Sequence, residues 1–275
     1  MRHPHAAEAS AAMDLRRRAS FNERPEVYLR ARPGYPEQVF DLVLGYAGVG
    51  PGSRALEIGC GPGQATLPMA RRGLRIVAVE IGASMAKLAE SRTAGHSVAI
   101  HNCPFEEWRL PDEPFDLVYS ASAFHWISPT VRYTRTAAAL RPGGTLALFW
   151  NRQVQDSGDE GFDALAQKVY GAIAPELSRR FTEPSSGPHR AEWLAEIAAS
   201  GLYEDLNGRV VPWANELTAG EYADLLSTYS DHATLPPETL GRLLDAIRDL
   251  IDGRFGGRLR RRWATILYLA RKAPL

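Results

Sequence analysis

Three glycines fall within five residues in the run Glu57-Ile-Gly-Cys-Gly-Pro-Gly-Gln64, directly after the apolar segment RALEI. Gly59, Gly61 and Gly63 strip side chains from a tight bend, so that backbone N–H groups and the N-terminus of a following helix can approach a ligand closely. Such a loop alone specifies no ligand. Glu80 adds information: it ends RIVAVE, the next apolar segment, where a carboxylate can accept two hydrogen bonds from the vicinal hydroxyls of a ribose. Capping the next helix is the plainer role for that acid, and nicotinamide-dependent enzymes share it. Histidine's unperturbed pKa of about 6.5 suits proton transfer near neutrality, and His125, in AFHWI, follows a further apolar segment at the mouth through which a second ligand must enter. Its alternative is to cap a turn or pack beside Trp126. Arg152, in WNR, ends another apolar segment and either meets that ligand or anchors the helical lid that comes after it in the chain.

These groups need a scaffold. Between Ser53 and Trp150, short apolar, β-branched runs alternate with stretches of helical spacing, the pattern of a parallel sheet covered on both faces. RALEIG, RIVAVE, SVAIHN, FDLVYS and TLALFW read as five strands, with QATLPMARRG, SMAKLAESR and SPTVRYTRTAAALR as helices between them. Ligands in open α/β sheets sit beyond the carboxyl ends of the strands, where strand order reverses; the glycine loop, Glu80 and His125 all fall at such ends. Pro68, inside the first of these helices, is tolerated only in its first turn or two. YPEQVFDLVLGYAG reads as an earlier helix opened by Pro36 and closed near Gly48. Later helices are expected over 160–174, 189–200, 219–230 and 237–252, interrupted by strands over 202–213 and 263–270 that return to the sheet as an antiparallel edge pair. The expected organisation is a disordered tail (1–18), an N-terminal helical cover (19–50), a ligand-binding core (51–152), and a helical lid with the last two strands (153–275).

Composition narrows the function. The 32 basic and 32 acidic residues cancel, leaving no overall positive field for nucleic acid or an anionic membrane. The dense cluster from Arg258 to Arg262 reads as a solvated helix end or turn. Cys60 and Cys103 form no disulfide framework and lack metal-ligand spacing with the histidines, so no metal is expected and a reducing cytoplasm fits. The opening residues lack the apolar run of a signal peptide, and no run approaches the roughly 20 apolar residues of a membrane span. Tyr203, Trp213, Tyr222 and Tyr229 are expected in core or in an acceptor pocket, while His96, His101, His189 and His232 read as structural or surface groups. The proline-rich stretch over 174–189 reads as a mobile gate.

With Glu57 two residues before the first glycine, E-x-G-C-G-x-G resembles the first motif of class I S-adenosylmethionine-dependent methyltransferases. YLRARPGYP, FEEW, FDLVYSASAFHWI and LRPGGTLALFW, in that order, resemble the small-molecule branch that includes trans-aconitate methyltransferase-like proteins. The resemblance implies a Rossmann-like, doubly wound, seven-stranded, mostly parallel sheet with an antiparallel C-terminal strand, and S-adenosylmethionine as cofactor, with S-adenosylhomocysteine as product. It also implies roles. Glu57 would accept from the methionine ammonium, directly or through water. Gly59, Cys60 and Gly61 would line the cofactor with backbone, within a loop that includes Gly63 and Gln64. Glu80 would take the ribose hydroxyls and Ile81 the adenine face. Pro104 stands where many members carry an acid for the adenine amino group, Phe105 still presents its N–H there, and Glu106 follows. Ser120 and Ala121 would face the methionine portion. Tyr28 and Arg32 would close over the cofactor, Arg32 toward its carboxylate. The acceptor, a small molecule of secondary metabolism with its O, N or C atom left open, would meet His125, Trp126 and Arg152, with His125 as a base where a proton must leave. A nicotinamide-dependent oxidoreductase and a non-methylating binder of the same cofactor are the competing readings.

Overall fold

Valine, isoleucine, leucine and alanine dominate the five segments of the core, which is what strands buried on both faces require. In the computed structural model, which describes residue 22 and residues 24–154, 161–178 and 188–274, they form β1 (Arg54–Ile58), β2 (Arg75–Glu80), β3 (Val98–Asn102), β4 (Phe115–Ala121) and β5 (Leu140–Val154). The tail expected over 1–18, and most of the stretch read as a gate, lie outside the described residues. Two long strands complete the sheet, β6 (Tyr203–Thr218) and β7 (Arg258–Lys272). The order is β3-β2-β1-β4-β5-β7-β6. Pairings among β1 to β5 are parallel, whereas β7 runs antiparallel to both β5 and β6. From β1 the chain moves outward to β2 and β3, then returns to lay β4 on the other side of β1. Strand order therefore reverses between β1 and β4, and a crevice opens at their carboxyl ends.

The helices before the lid are α1 (Pro25–Ala31), α2 (Glu37–Ala47), α3 (Thr66–Arg71), α4 (Ala83–Thr93) and α5 (Arg132–Ala139). Pro68 is the third residue of α3, where a missing N–H costs no intrahelical bond. Gly48 closes α2 at φ 66°, the left-handed cap that glycine adopts without strain. Ala55, Leu117, Tyr119 and Phe149 face one core layer with Phe40 and Val43 of α2, while Leu56, Val118 and Leu148 face the other with Ala137 of α5.

Beyond β5 follow α6 (Phe162–Ile173), α7 (Pro175–Ser178), α8 (Pro188–Ala199), α9 (Ala219–Ser227) and α10 (Pro237–Phe255). A reciprocal capping box between Thr218 and Glu221 opens α9. Phe162 and Tyr170 of α6, Tyr222 of α9, Leu243 and Ile247 of α10 and Trp263 of β7 share a separate apolar core. The lid is thus a packed unit tied to the sheet by the first half of β7.

The cluster from Arg258 to Arg262 is neither a helix end nor a turn. It opens β7, and its period-two alternation leaves Arg258, Arg260 and Arg262 exposed while Leu259, Arg261 and Trp263 are buried. Arg261 is only 1% exposed. It pairs with Asp163 at 2.9 Å and lies near the rings of Phe162 and Tyr222. Removing one partner of a buried pair strands the other charge, at about 3–5 kcal/mol. Arg261→Ala is accordingly expected to lower unfolding free energy by about that amount in urea denaturation, Asp163→Ala in addition to recover part of the loss, and Arg260→Ala to leave the transition in place.

Candidate active site

The three loop glycines answer three different constraints. At Gly59, φ is 69° and a Cβ would stand 2.4 Å from that of Ala123, so the loops after β1 and β4 meet only because no side chain intervenes. At Gly63, φ is 83° and a Cβ would touch Ala89 of α4 at 3.5 Å. At Gly61, φ is 53° and no atom lies within 4 Å of the vacant Cβ position. That side of the loop opens into a cavity of about 880 Å³.

Glu80 holds the rim of this cavity. Its two carboxylate oxygens accept from the amides of Gly61 and Gly82, each at 2.8 Å, joining the turn after β1 to the turn after β2. Burial raises its pKa, and the amide bonds draw it back. Asn102 donates to the carbonyls of Glu80 and Ile81, and Asn22 accepts from the first amides of α4.

Of the residues singled out from sequence, Tyr28, Arg32, Gly59, Cys60, Gly61, Gln64, Glu80, Ile81, Pro104, Phe105, Glu106, Ala121, His125, Trp126 and Arg152 line the cavity. Glu57, Gly63 and Ser120 stand behind its wall. Ser120 is fully buried and donates to the carbonyl of Ile58, tying β4 to β1. Glu57 is 0% exposed and accepts from the Tyr119 hydroxyl at 2.9 Å, while its Oε1 makes no hydrogen bond to the described residues. Burial pushes its pKa up to about 7, with the Thr66 and Tyr119 hydroxyls pulling down and the charge of Glu80 adding to the rise.

Arg32 is spent within the protein. Its Nε and Nη2 donate to the hydroxyl and carbonyl of Thr228, and the guanidinium lies 4.3 Å from the Tyr229 ring centroid, joining α1 to the lid. Gln64 donates to the Arg32 carbonyl. His125 sits in a 3₁₀ turn, Phe124–Trp126, where the Trp150 indole N–H donates to its Nδ1 at 3.2 Å. An accepting Nδ1 places the proton of the neutral imidazole on Nε2.

Several wall residues carry no sequence motif. Ser122 takes φ 58°, a left-handed conformation unusual for serine, and bonds the Tyr35 hydroxyl at 2.9 Å. His232, read from sequence as structural or surface, is 3% exposed and lines the cavity with Asp231. It bonds Asp231 through Nδ1 at 2.8 Å and the Tyr170 hydroxyl through Nε2 at 2.7 Å. Tyr229 reaches the cavity, but Tyr203, Trp213 and Tyr222 do not. Tyr203 bonds Thr136, Trp213 stacks on Trp263, and Tyr222 packs edge-on to Phe162. Trp193 enters from α8, and Arg261 with Trp263 from β7; the two-residue alternation of RLRRRW was the one available signal for Arg261. Among the described residues, no group of three His, Cys, Asp or Glu could hold a metal ion, and no helix is long and apolar enough to cross a membrane.

A glycine loop with an open face, braced by a carboxylate at the end of the second strand beside a strand-order reversal, stands where open α/β sheets receive their ligands. Comparison with known proteins makes the class specific. The methyltransferase domain family matches residues 56–148. An uncharacterized methyltransferase of Mycobacterium tuberculosis H37Rv is 29% identical over 234 residues, 84% of this chain and 85% of that protein. Another uncharacterized methyltransferase, from Geobacillus thermodenitrificans, is 32% identical over 174 residues, 58% of this chain and 79% of its own length. In fold, a candidate type II methyltransferase from Anaeromyxobacter dehalogenans superposes with a TM-score of 0.64 at 22% identity, covering 89% of this chain and 99% of that one. The chain belongs to the methyltransferase family that these relatives share. The open face of Gly61 beside the Glu80 carboxylate fits a nucleoside bearing a diol.

Glu57 yields a pH signature. Its folded value of about 7 lies above the ordinary 4.5, so between these pH values the native protein keeps a proton that the unfolded chain has released. The stability it contributes is complete below about 4.5 and is lost as pH rises through about 7. Denaturation at a series of pH values is expected to show wild type losing stability relative to Glu57→Gln across this window. Parallel profiles for the two proteins would remove the assignment.

Proposed function

We propose that this chain transfers a methyl group to a small molecule held at the wide end of the cavity. The observation that carries this reading is continuity: one cavity of about 880 Å³ is lined both by the glycine loop and by Trp126, Trp150 and Trp193. Small-molecule and cofactor pockets occupy roughly 300–1,000 Å³, so the volume suits a cofactor with a compact acceptor.

The backbone of Gly59, Cys60 and Gly61 would hold the cofactor at the narrow end, with Glu80 on the ribose hydroxyls. Ile81 and the Phe105 N–H would meet the adenine, and Ala121 the methionine portion. Glu57 supports the loop from behind, through Tyr119, and the guanidinium of Arg32, held by Thr228, closes the N-terminal cover over the site. Bound S-adenosylmethionine supplies a methyl group on a sulfonium that leaves as a thioether. The protein's own contribution is alignment and exclusion of water. His125 contributes in the tautomer that Trp150 selects: with its proton on Nε2 it is a hydrogen-bond donor that orients the acceptor, and service as a base would require the other tautomer.

Calorimetric titration with S-adenosylmethionine, S-adenosylhomocysteine and NADH tests the reading. Micromolar binding of the first two is expected, weakened at least tenfold in Glu80→Ala with its unfolding midpoint checked alongside. A preference for NADH, or no binding of either sulfur compound, would sink it.

A further inference from the structure

Three arginines line the cavity among the described residues: Arg32, Arg152 and Arg261. Two are engaged. Arg261 pairs with Asp163 and donates to the Gln153 carbonyl oxygen, and Arg32 gives its fork to Thr228. The side chain of Arg152 makes no hydrogen bond or ion pair with any described residue, Tyr268 being the ionisable group that acts on it. The acids of the wall are already engaged: Asp163 with Arg261, Glu196 with Arg132, Asp231 with His232, Glu80 with two amides, Glu106 with the Ser128 amide, and Glu192 as well.

The position is rigid. Arg152 lies in β5, in register with Ala264 of β7. Its neighbours on either side are held, Asn151 by the Gly34 carbonyl and Gln153 by Tyr229 and Arg261. Burial lowers the pKa of the guanidinium, with Tyr268 opposing the shift. Such a group is poorly solvated until an anion reaches it, and it then offers two parallel donors to a carboxylate. The walls nearby are aromatic: Trp150 and Trp193 stack at 4.9 Å with 28° between their planes, and the His125 ring lies between Trp150 and Trp126.

We infer that the methyl acceptor is a carboxylate-bearing molecule with a flat apolar body, its single negative charge taken by Arg152 and its body by the tryptophan walls. Arg152 offers one guanidinium fork whose donors are not already used within the described residues, and this matches a monocarboxylate better than a phosphate monoester, which carries nearly two charges at neutral pH. The inference rests on the reading of the wide end as the acceptor site.

The test uses the full-length protein saturated with S-adenosylhomocysteine, titrated with matched probes: cinnamate against cinnamamide, indole-3-acetate against indole-3-acetamide, and phenyl phosphate. Each acid is expected to bind at least tenfold more tightly than its amide, and more tightly than phenyl phosphate. Arg152→Gln should abolish the acid-over-amide ratio, with S-adenosylhomocysteine affinity and unfolding midpoint unchanged; Arg152→Lys should restore part of it, as a point charge without the fork. Equal binding of acids and amides, no binding of any acid at millimolar concentration, tighter binding of phenyl phosphate, or a preference that survives in Arg152→Gln each overturns the inference while leaving the methyltransferase reading intact. Failure of S-adenosylhomocysteine to bind removes both.

Discussion

The carboxylate of Glu80 holds two turns together by accepting from the amides of Gly61 and Gly82. Without that bridge, the two turns that form the narrow end of the site would present unpaired N–H groups at a half-open crevice, which is unfavourable for buried donors. The bridge also explains why Gly61 faces open space: the loop is drawn toward β2 on one side, and nothing fills the other. Behind it, Glu57 and Tyr119 form a second polar contact inside the apolar core. Two buried carboxylates, one lining the cavity and one behind it, thus brace a single loop.

The far end of the site obeys another constraint. Its wall is assembled from segments distant in the chain, with α8, α9 and the start of β7 brought over the strand ends. The Arg261–Asp163 pair joins β7 to α6, and the Arg32–Thr228 bonds join the N-terminal cover to the end of α9. Arg152 is left as the cavity's uncommitted cation among the described residues because these two pairings consume the others. The same packing sets the tautomer of His125, since Trp150 reaches it only after β5 and the turn after β4 are in place.

Period-two and helical patterns, glycine spacing and the acid after RIVAV were enough to read five parallel strands, the intervening helices and the loop. These are local properties: a strand buried on both faces must be apolar throughout, and a tight turn at positive φ favours glycine, so the residues themselves carry the information. The extent of β6 and β7 was less legible. Polar and charged residues recur through β6 and the start of β7, and the run RLRRR conceals its one buried arginine among exposed ones. Its depth follows from Asp163, which lies far earlier in the chain.

By itself, then, the sequence determined the core of the sheet and the positions of the glycine loop and of the acid after it, because each depends on residues within a few positions of one another. Only the tertiary structure decided that Gly59 yields to Ala123 while Gly61 faces the cavity, that Glu57 lies behind the wall, that Arg32 and Arg261 are neutralised or engaged inside the protein, and that Arg152 is not. Those outcomes depend on which side chains meet across long sequence separations, and burial and pairing of charges are properties of the packed chain, not of any one segment.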